Sequence, residues 1–158
     1  MSTAPKAVPA VPIVILSPTV TLRTGETIAL KADNQMYWSR INRGDQNPIE
    51  AAKSGIDPYC RFKVTVQENS RIVLQADNGL YLSRINRGSI NPIEAAKTTV
   101  DQFCVFAVTT LSNGELVLSA DDGLFLSRIN RGERNPIEAA KQQMDVFCQS
   151  EVTVLVTK

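Results

Sequence analysis

Apolar and polar residues alternate along much of the chain, and no segment carries a strong helical pattern. In "RIVLQA" (Arg71–Ala76) the alternation and the β-branched residues predict a strand. "DNG" (Asp77–Gly79) is hairpin-turn chemistry, and "LYLSRI" (Leu80–Ile85) alternates again as a second strand. Asn, Gly and Pro make "NRGSINP" (Asn86–Pro92) a loop. The composition of "IEAAK" (Ile93–Lys97) favours a helix. Pro92 and the flanking loops leave room for little more than one turn, which is marginal alone, so the segment is read as a third strand. "FCVFAVTTL" (Phe103–Leu111) supplies a fourth.

This unit recurs every 44 residues. The period relates Ser39, Ser83 and Ser127; Asp33, Asp77 and Asp121; Asp57, Asp101 and Asp145; and Cys60, Cys104 and Cys148. Repeats are placed at about 26–69, 70–113 and 114–158. One domain over 20–158 then follows an extended, Pro-rich N-terminal arm at 1–19. Three four-stranded units leave few architectures. A three-bladed propeller falls below the usual range of about four to eight blades. A solenoid needs distinct capping repeats. A closed threefold barrel removes sheet edges altogether. The expected class is therefore all-β: a β-trefoil with three internal four-stranded repeats.

The second copy carries Gly79, Tyr81, Leu82, Ser83, Asp101, Cys104 and Phe106. The third carries Gly123, Phe125, Leu126, Ser127, Asp145 and Cys148. This run resembles the repeat of the fascin-like β-trefoils. There, a Gly-x-Tyr-Leu-Ser strand is followed by a loop, a short strand and an Asp-x-x-Cys-x-Phe strand. The first copy departs at Gln35 and Trp38, which stand for the Gly and the Leu, and the third has Ser150 for the Phe. The resemblance implies the trefoil fold. It leaves function open, because similar trefoils bundle actin, bind sugars, bind receptors or inhibit proteases.

The three copies can be compared with one another. From Ser39 to Lys53 and its counterparts, thirteen of fifteen positions are identical in all three. From Glu26 to Trp38 only three of thirteen are, and from Ser54 to Asn69 only four of sixteen. Packing asks for suitable volume rather than polar identity. One reading makes the constant segment structural. Gly44, Gly88 and Gly132 would supply a positive φ, and Arg40, Arg84 and Arg128 would pair across strands with Glu50, Glu94 and Glu138. The other reading makes it three equivalent binding loops on a rigid scaffold. In that case Arg43, Arg87 and Arg131 donate to the ligand, and Asn47, Asn91 and Asn135 orient it. Glu50, Glu94 and Glu138 accept from the ligand or hold the arginines. Asn42, Asn86 and Asn130, with Arg40, Arg84 and Arg128, are secondary candidates.

Three like sites would give avidity for a repeated weak epitope. Glycans fit that description, so the functional expectation is a carbohydrate-binding lectin. The alternatives are an actin-binding or other protein-binding module, and a purely structural unit. Tyr37, Tyr81 and Phe125 are weighed as stacking rings and assigned to the core. Asp33, Asp77 and Asp121 are assigned to turns. The apolar stretch "VPIVIL" (Val11–Leu16) could add a strand to a neighbour and make a homodimer, or pack on its own barrel.

Composition narrows the rest. The 158 residues hold 43% hydrophobic residues and a net charge of +1, with no basic excess to suggest a nucleic-acid partner. No apolar run reaches the roughly 18 residues of a membrane span, and no signal peptide is read. Histidine is absent, which removes the commonest general base and any Ser-His or Cys-His pair. No catalytic residue, metal or cofactor is expected. The odd count of three cysteines fits a reducing, cytoplasmic setting, with each thiol buried and inert in an apolar segment.

Overall fold

The structure is a computed structural model that describes residues 11–155. Most of the expected N-terminal arm, residues 1–10, lies outside them, as do 156–158 at the C-terminus.

Among the described residues, fourteen strands form. The chain opens with a hairpin of β1 (Ile13–Ser17) and β2 (Val20–Arg23). The first repeat contributes β3 (Thr27–Lys31), β4 (Tyr37–Arg40), β5 (Ile49–Lys53) and β6 (Phe62–Gln67). The second contributes β7 (Arg71–Gln75), β8 (Tyr81–Arg84), β9 (Ile93–Lys97) and β10 (Phe106–Thr110). The third contributes β11 (Leu116–Ser119), β12 (Phe125–Arg128), β13 (Ile137–Lys141) and β14 (Glu151–Leu155).

The outer strands of each repeat build a six-stranded antiparallel barrel. β3 pairs with β6, β6 with β7, β7 with β10, β10 with β11, and β14 returns to β3. Leu116 and Ser150 exchange both backbone hydrogen bonds at 3.0 Å and join β11 to β14, so no barrel edge stays open. The inner strands form three hairpins, β4–β5, β8–β9 and β12–β13, that cap one end. This is the β-trefoil. The IEAAK segments are its strands β5, β9 and β13, as the prolines and short loops imply.

Burial follows the alternation. Ile28, Leu30, Ile49, Phe62, Val64, Ile72, Leu74, Ile93 and Phe106 reach zero exposure, and Leu116, Leu118 and Ile137 of the third repeat complete one core. The β1–β2 hairpin adds Val14, Leu16 and Leu22 to that core. Its following turn is tied to the far end of β6, where Thr24 Oγ1 accepts from Val66 N at 2.9 Å. Ordered packing on the chain's own barrel thus begins within the span assigned to the arm.

Two local expectations change. Phe103 and Cys104 lie in a 3-10 turn (Gln102–Cys104) before β10, not in a strand, because the Asp101 side chain accepts from Phe103 N and holds a turn open there. The same cap recurs at Asp57 and Asp145. The thiols are buried there as expected, and burial pushes each above the ordinary range. The Asp-Asn-Gly turn also differs from a simple hairpin, for β7 and β8 share only the Gln75–Tyr81 pair before the chain leaves the barrel to enter the cap.

Gln35 stands where the other copies have Gly79 and Gly123, and it adopts the same left-handed backbone, with φ of +68° against +82°. A side chain at positive φ costs roughly 1–2 kcal/mol, part of which glycine returns through its freer unfolded chain. Gln35→Gly is expected to raise stability by about 0.5–1 kcal/mol, read as a higher urea midpoint with an unchanged slope.

Candidate functional site

The constant segment begins with a tight turn. Arg43 N donates to Gln46 O at 2.9 Å, Gly44 takes φ of +79°, and Asn42 Oδ1 accepts from Gly44 N at 3.0 Å. The turns at Asn86–Ile90 and Asn130–Arg134 are the same. The two positions that differ between copies, 45–46, 89–90 and 133–134, form the tips. Their fixed contribution is one backbone carbonyl, from Gln46, Ile90 and Arg134, which any residue supplies.

The constant arginines are clasped by carboxylates. Arg40 Nε and Nη2 donate to Asp77 Oδ1 and Oδ2 at 2.7 and 2.8 Å, while Nη1 donates to Asn47 Oδ1 at 2.6 Å. Arg84 grips Asp121 and Asn91 in the same way. Arg128 grips Asp33 and Asn135, which returns the ring from the third repeat to the first. Each clasp spans two repeats. The hydrogen bonds to carboxylate hold all three guanidinium groups above their ordinary pKa.

A second set of arginines pairs within each hairpin. Arg43 Nε and Nη2 donate to Glu50 Oε2 and Oε1 at 2.7 and 2.9 Å, and Arg87–Glu94 and Arg131–Glu138 repeat the pattern. The expected pairing of Arg40, Arg84 and Arg128 with these glutamates is therefore corrected. In the β4–β5 ladder Ser39 faces Glu50 and Arg40 faces Ile49. Successive residues of a strand point to opposite faces, so Arg40 turns away from Glu50. Asp33, Asp77 and Asp121 are corrected as well. Their neighbours Asn34, Asn78 and Asp122 make the turn by accepting from the amide two residues on, which leaves the aspartates to reach the arginines.

The loops also knot together around the threefold axis. Asn47 O accepts from Ala95 N, Asn91 O from Ala139 N, and Asn135 O from Ala51 N, each at 2.9 Å. The sequence candidates thus divide. Glu50, Glu94 and Glu138 are only 2–3% exposed, with both oxygens committed to arginine. Asn47, Asn91 and Asn135 spend side-chain and backbone oxygens on the frame. Outward capacity remains on Nη1 of Arg43, Arg87 and Arg131, and on Nδ2 of Asn42, Asn86 and Asn130. None of these atoms makes a hydrogen bond among the described residues.

Beside each loop stands an aromatic ring that the sequence reading did not select. Tyr59, Phe103 and Phe147 sit on the 3-10 turns, and Tyr59 and Phe147 are 45% and 42% exposed. Arg40 Cζ lies 5.3 Å and Lys53 Nζ 4.9 Å from the Tyr59 centroid, and the same cation pairs flank Phe103 and Phe147. Lys53 is tied to Asp57 at 2.6 Å. At the third copy the ring, Arg128, Ile129, Asn130 and Lys141 line a shallow concavity of about 220 Å³. The available signal was an aromatic residue before the cysteine in every copy. By contrast, Tyr37, Tyr81 and Phe125 are half-buried at the strand starts.

Among the described residues, no group of three or more His, Cys, Asp or Glu side chains could hold a metal ion, and no helix is long and apolar enough to cross a membrane.

No protein-family model matches the sequence, and neither does any curated protein. Solved structures do match. The designed threefold-symmetric protein ThreeFoil superimposes with a TM-score of 0.70 at 14% identity, over 82% of this chain and 99% of its own. A Polyporus squamosus lectin, solved with the human-type influenza-binding epitope Neu5Aca2-6Galb1-4GlcNAc, gives 0.68 at 11% identity, over 84% of this chain and 49% of the lectin. A mosquitocidal holotoxin gives 0.70 at 10% identity, over 81% of this chain. The chain spans only 17% of the holotoxin's length. At these identities the likeness establishes the trefoil fold.

The clasps predict a stability cost. Asp33 and Arg128 are largely enclosed, with side chains 12% and 11% exposed. Asp33→Ala is expected to lose about 2–3 kcal/mol in a urea melt, against less than about 1 kcal/mol for an exposed pair. A pH prediction follows from Asp57, Asp101 and Asp145. The hydrogen bonds from Lys53, Lys97 and Lys141 hold their carboxyls below the ordinary value of 3.8. Groups depressed in the folded state stabilise it fully above the unfolded value and lose that contribution as pH falls through the folded one. Stability is expected to fall progressively below about pH 4, and less steeply when all three lysines are replaced by Met.

Proposed function

We propose that the chain is a multivalent carbohydrate-binding module, a lectin with three equivalent sites, that acts by binding and performs no catalysis. One observation carries this reading. In every repeat a ring, exposed at Tyr59 and Phe147 and half-buried at Phe103, adjoins a polar loop whose frame is already locked. A sugar offers a C–H face and a rim of hydroxyls. The ring of Tyr59, Phe103 or Phe147 suits the face. The free Nδ2 of Asn42, Asn86 or Asn130 and the outward Nη1 of Arg43, Arg87 or Arg131 suit the rim.

Glu50, Glu94 and Glu138 hold the donating arginines, and Asn47, Asn91 and Asn135 hold the loop. Because these groups are fixed before any ligand arrives, little ordering cost falls on binding. Each site is shallow and weak by itself, and three on one rigid body reach a clustered epitope with avidity. The shared fold with a lectin lends support at the level of architecture.

A glycan array with the full chain tests the proposal. The expected result is binding to a defined set of clustered glycans, lost in the triple variant Tyr59→Ala/Phe103→Ala/Phe147→Ala while its circular dichroism spectrum stays native. A blank array for the wild-type protein overturns the proposal. Actin co-sedimentation beside a blank array favours the protein-binding alternative instead.

A further inference from the structure

Three grooves lie on the barrel wall between successive repeats, and the repeat relates them residue by residue. Unlike the loops, they have diverged. In each, three side chains stand in a row across three adjacent strands. The first row is Thr27, Lys63 and Gln75, from β3, β6 and β7, with Lys63 directly opposite both neighbours. The second is Arg71, Ala107 and Ser119. The third ends in Glu151 and Lys31, which face each other and form a 3.2 Å ion pair. Residues placed directly opposite on one face are within contact range, so the charge of each row is a local property.

The first groove stands apart. Its volume is about 490 Å³, within the range of small-molecule sites. Arg61 joins Lys63 in its lining, and both side chains belong to exposed residues. Neither cation has a carboxylate within ion-pair distance among the described residues. The one acidic residue in the lining, Asp77, already has both oxygens engaged by Arg40. Pro58 and Ala76 add apolar surface. At the places of Arg61 and Lys63 the second repeat has Val105 and Ala107, and the third has Gln149 and Glu151.

We infer that this groove is a separate, single site for an anionic sugar residue, one carrying a carboxylate or sulfate. Arg61 and Lys63 bind the charged group, Thr27 and Gln75 the adjoining hydroxyls, and Pro58 and Ala76 the ring. That the ligand is a sugar rests on the function proposed above. The preference for an anion rests on the groove alone. The site is distinct from the three ring-and-loop sites, so the molecule joins three like contacts to one unlike contact.

The test is heteronuclear NMR titration of the full chain with sialyllactose, with lactose as the neutral control and inorganic sulfate as the bare anion. The expected result is saturation at one equivalent of sialyllactose with shifts at Thr27, Arg61, Lys63 and Gln75. Binding should be about tenfold or more weaker for lactose and for sulfate, the loss of one charge-assisted contact or of the ring contacts. The variant Arg61→Val/Lys63→Ala carries residues the fold already accepts in its second repeat. It is expected to abolish these shifts and to leave the ring-and-loop sites intact. The reverse change, Val105→Arg/Ala107→Lys, is expected to create the same shifts around the second groove. Equal binding of lactose, equal binding of sulfate, or unchanged shifts in Arg61→Val/Lys63→Ala would each overturn the assignment. The three-site proposal fails separately, through the ring variants.

Discussion

A two-pronged salt bridge from each repeat to the next governs this molecule. Arg40, Arg84 and Arg128 each spend two nitrogens on an aspartate of the following repeat and a third on an asparagine of their own. A planar guanidinium matches a carboxylate in this way, and lysine does not. Once the third clasp reaches back to Asp33, the hairpin cap is a closed ring. The aspartates, the asparagines and the loop path are then no longer free to vary independently.

That constraint explains why one segment is written three times while the barrel strands drift. A barrel position needs an apolar side chain of suitable volume. A clasp position needs a particular functional group at a particular distance. In the constant segment, Ser39 bonds the backbone, Arg40 and Asn47 form the clasp, Arg43 and Glu50 form the inner pair, and Asn42 and Gly44 make the turn. Ala51 and Asn135 stitch the loops to each other. Only the tip residues, whose shared contact is a single backbone carbonyl, are free to differ. Ala52, Ala96 and Ala140 are exposed and constant, and nothing in the structure explains them. Under the proposed function, structural and binding roles coexist on this segment. The carboxylates and asparagines fix the frame, which leaves one amide nitrogen and one guanidinium nitrogen of each loop without a hydrogen-bond partner among the described residues.

Much of this architecture was legible from the residues. The 44-residue period, the alternation in Arg71–Gln75 and the prolines before each IEAAK lead directly to a closed threefold barrel of four-stranded repeats, the β-trefoil. The arginine partners were not legible. Asp77 lies 37 residues from Arg40, and Asp33 lies 95 from Arg128. Composition also offered a complete local explanation for Asp-Asn-Gly as a turn. The strand face decided the matter for Glu50, since one step of pleat separates Ser39, which faces it, from Arg40, which does not. The rings at Tyr59, Phe103 and Phe147 were hidden for a related reason. An apolar run was read as buried strand, whereas Asp57, Asp101 and Asp145 cap a short turn that leaves Tyr59 and Phe147 exposed and Phe103 half-buried.

If the three loops are one locked unit, the amides that stitch them must open together. Hydrogen exchange at Ala51, Ala95 and Ala139, whose N–H groups donate to the carbonyls of Asn135, Asn47 and Asn91, tests this most directly. Under a closed ring all three exchange slowly, at one common rate set by global unfolding. Exchange of any one of them at its own faster rate, by local opening of a single loop, would contradict the account.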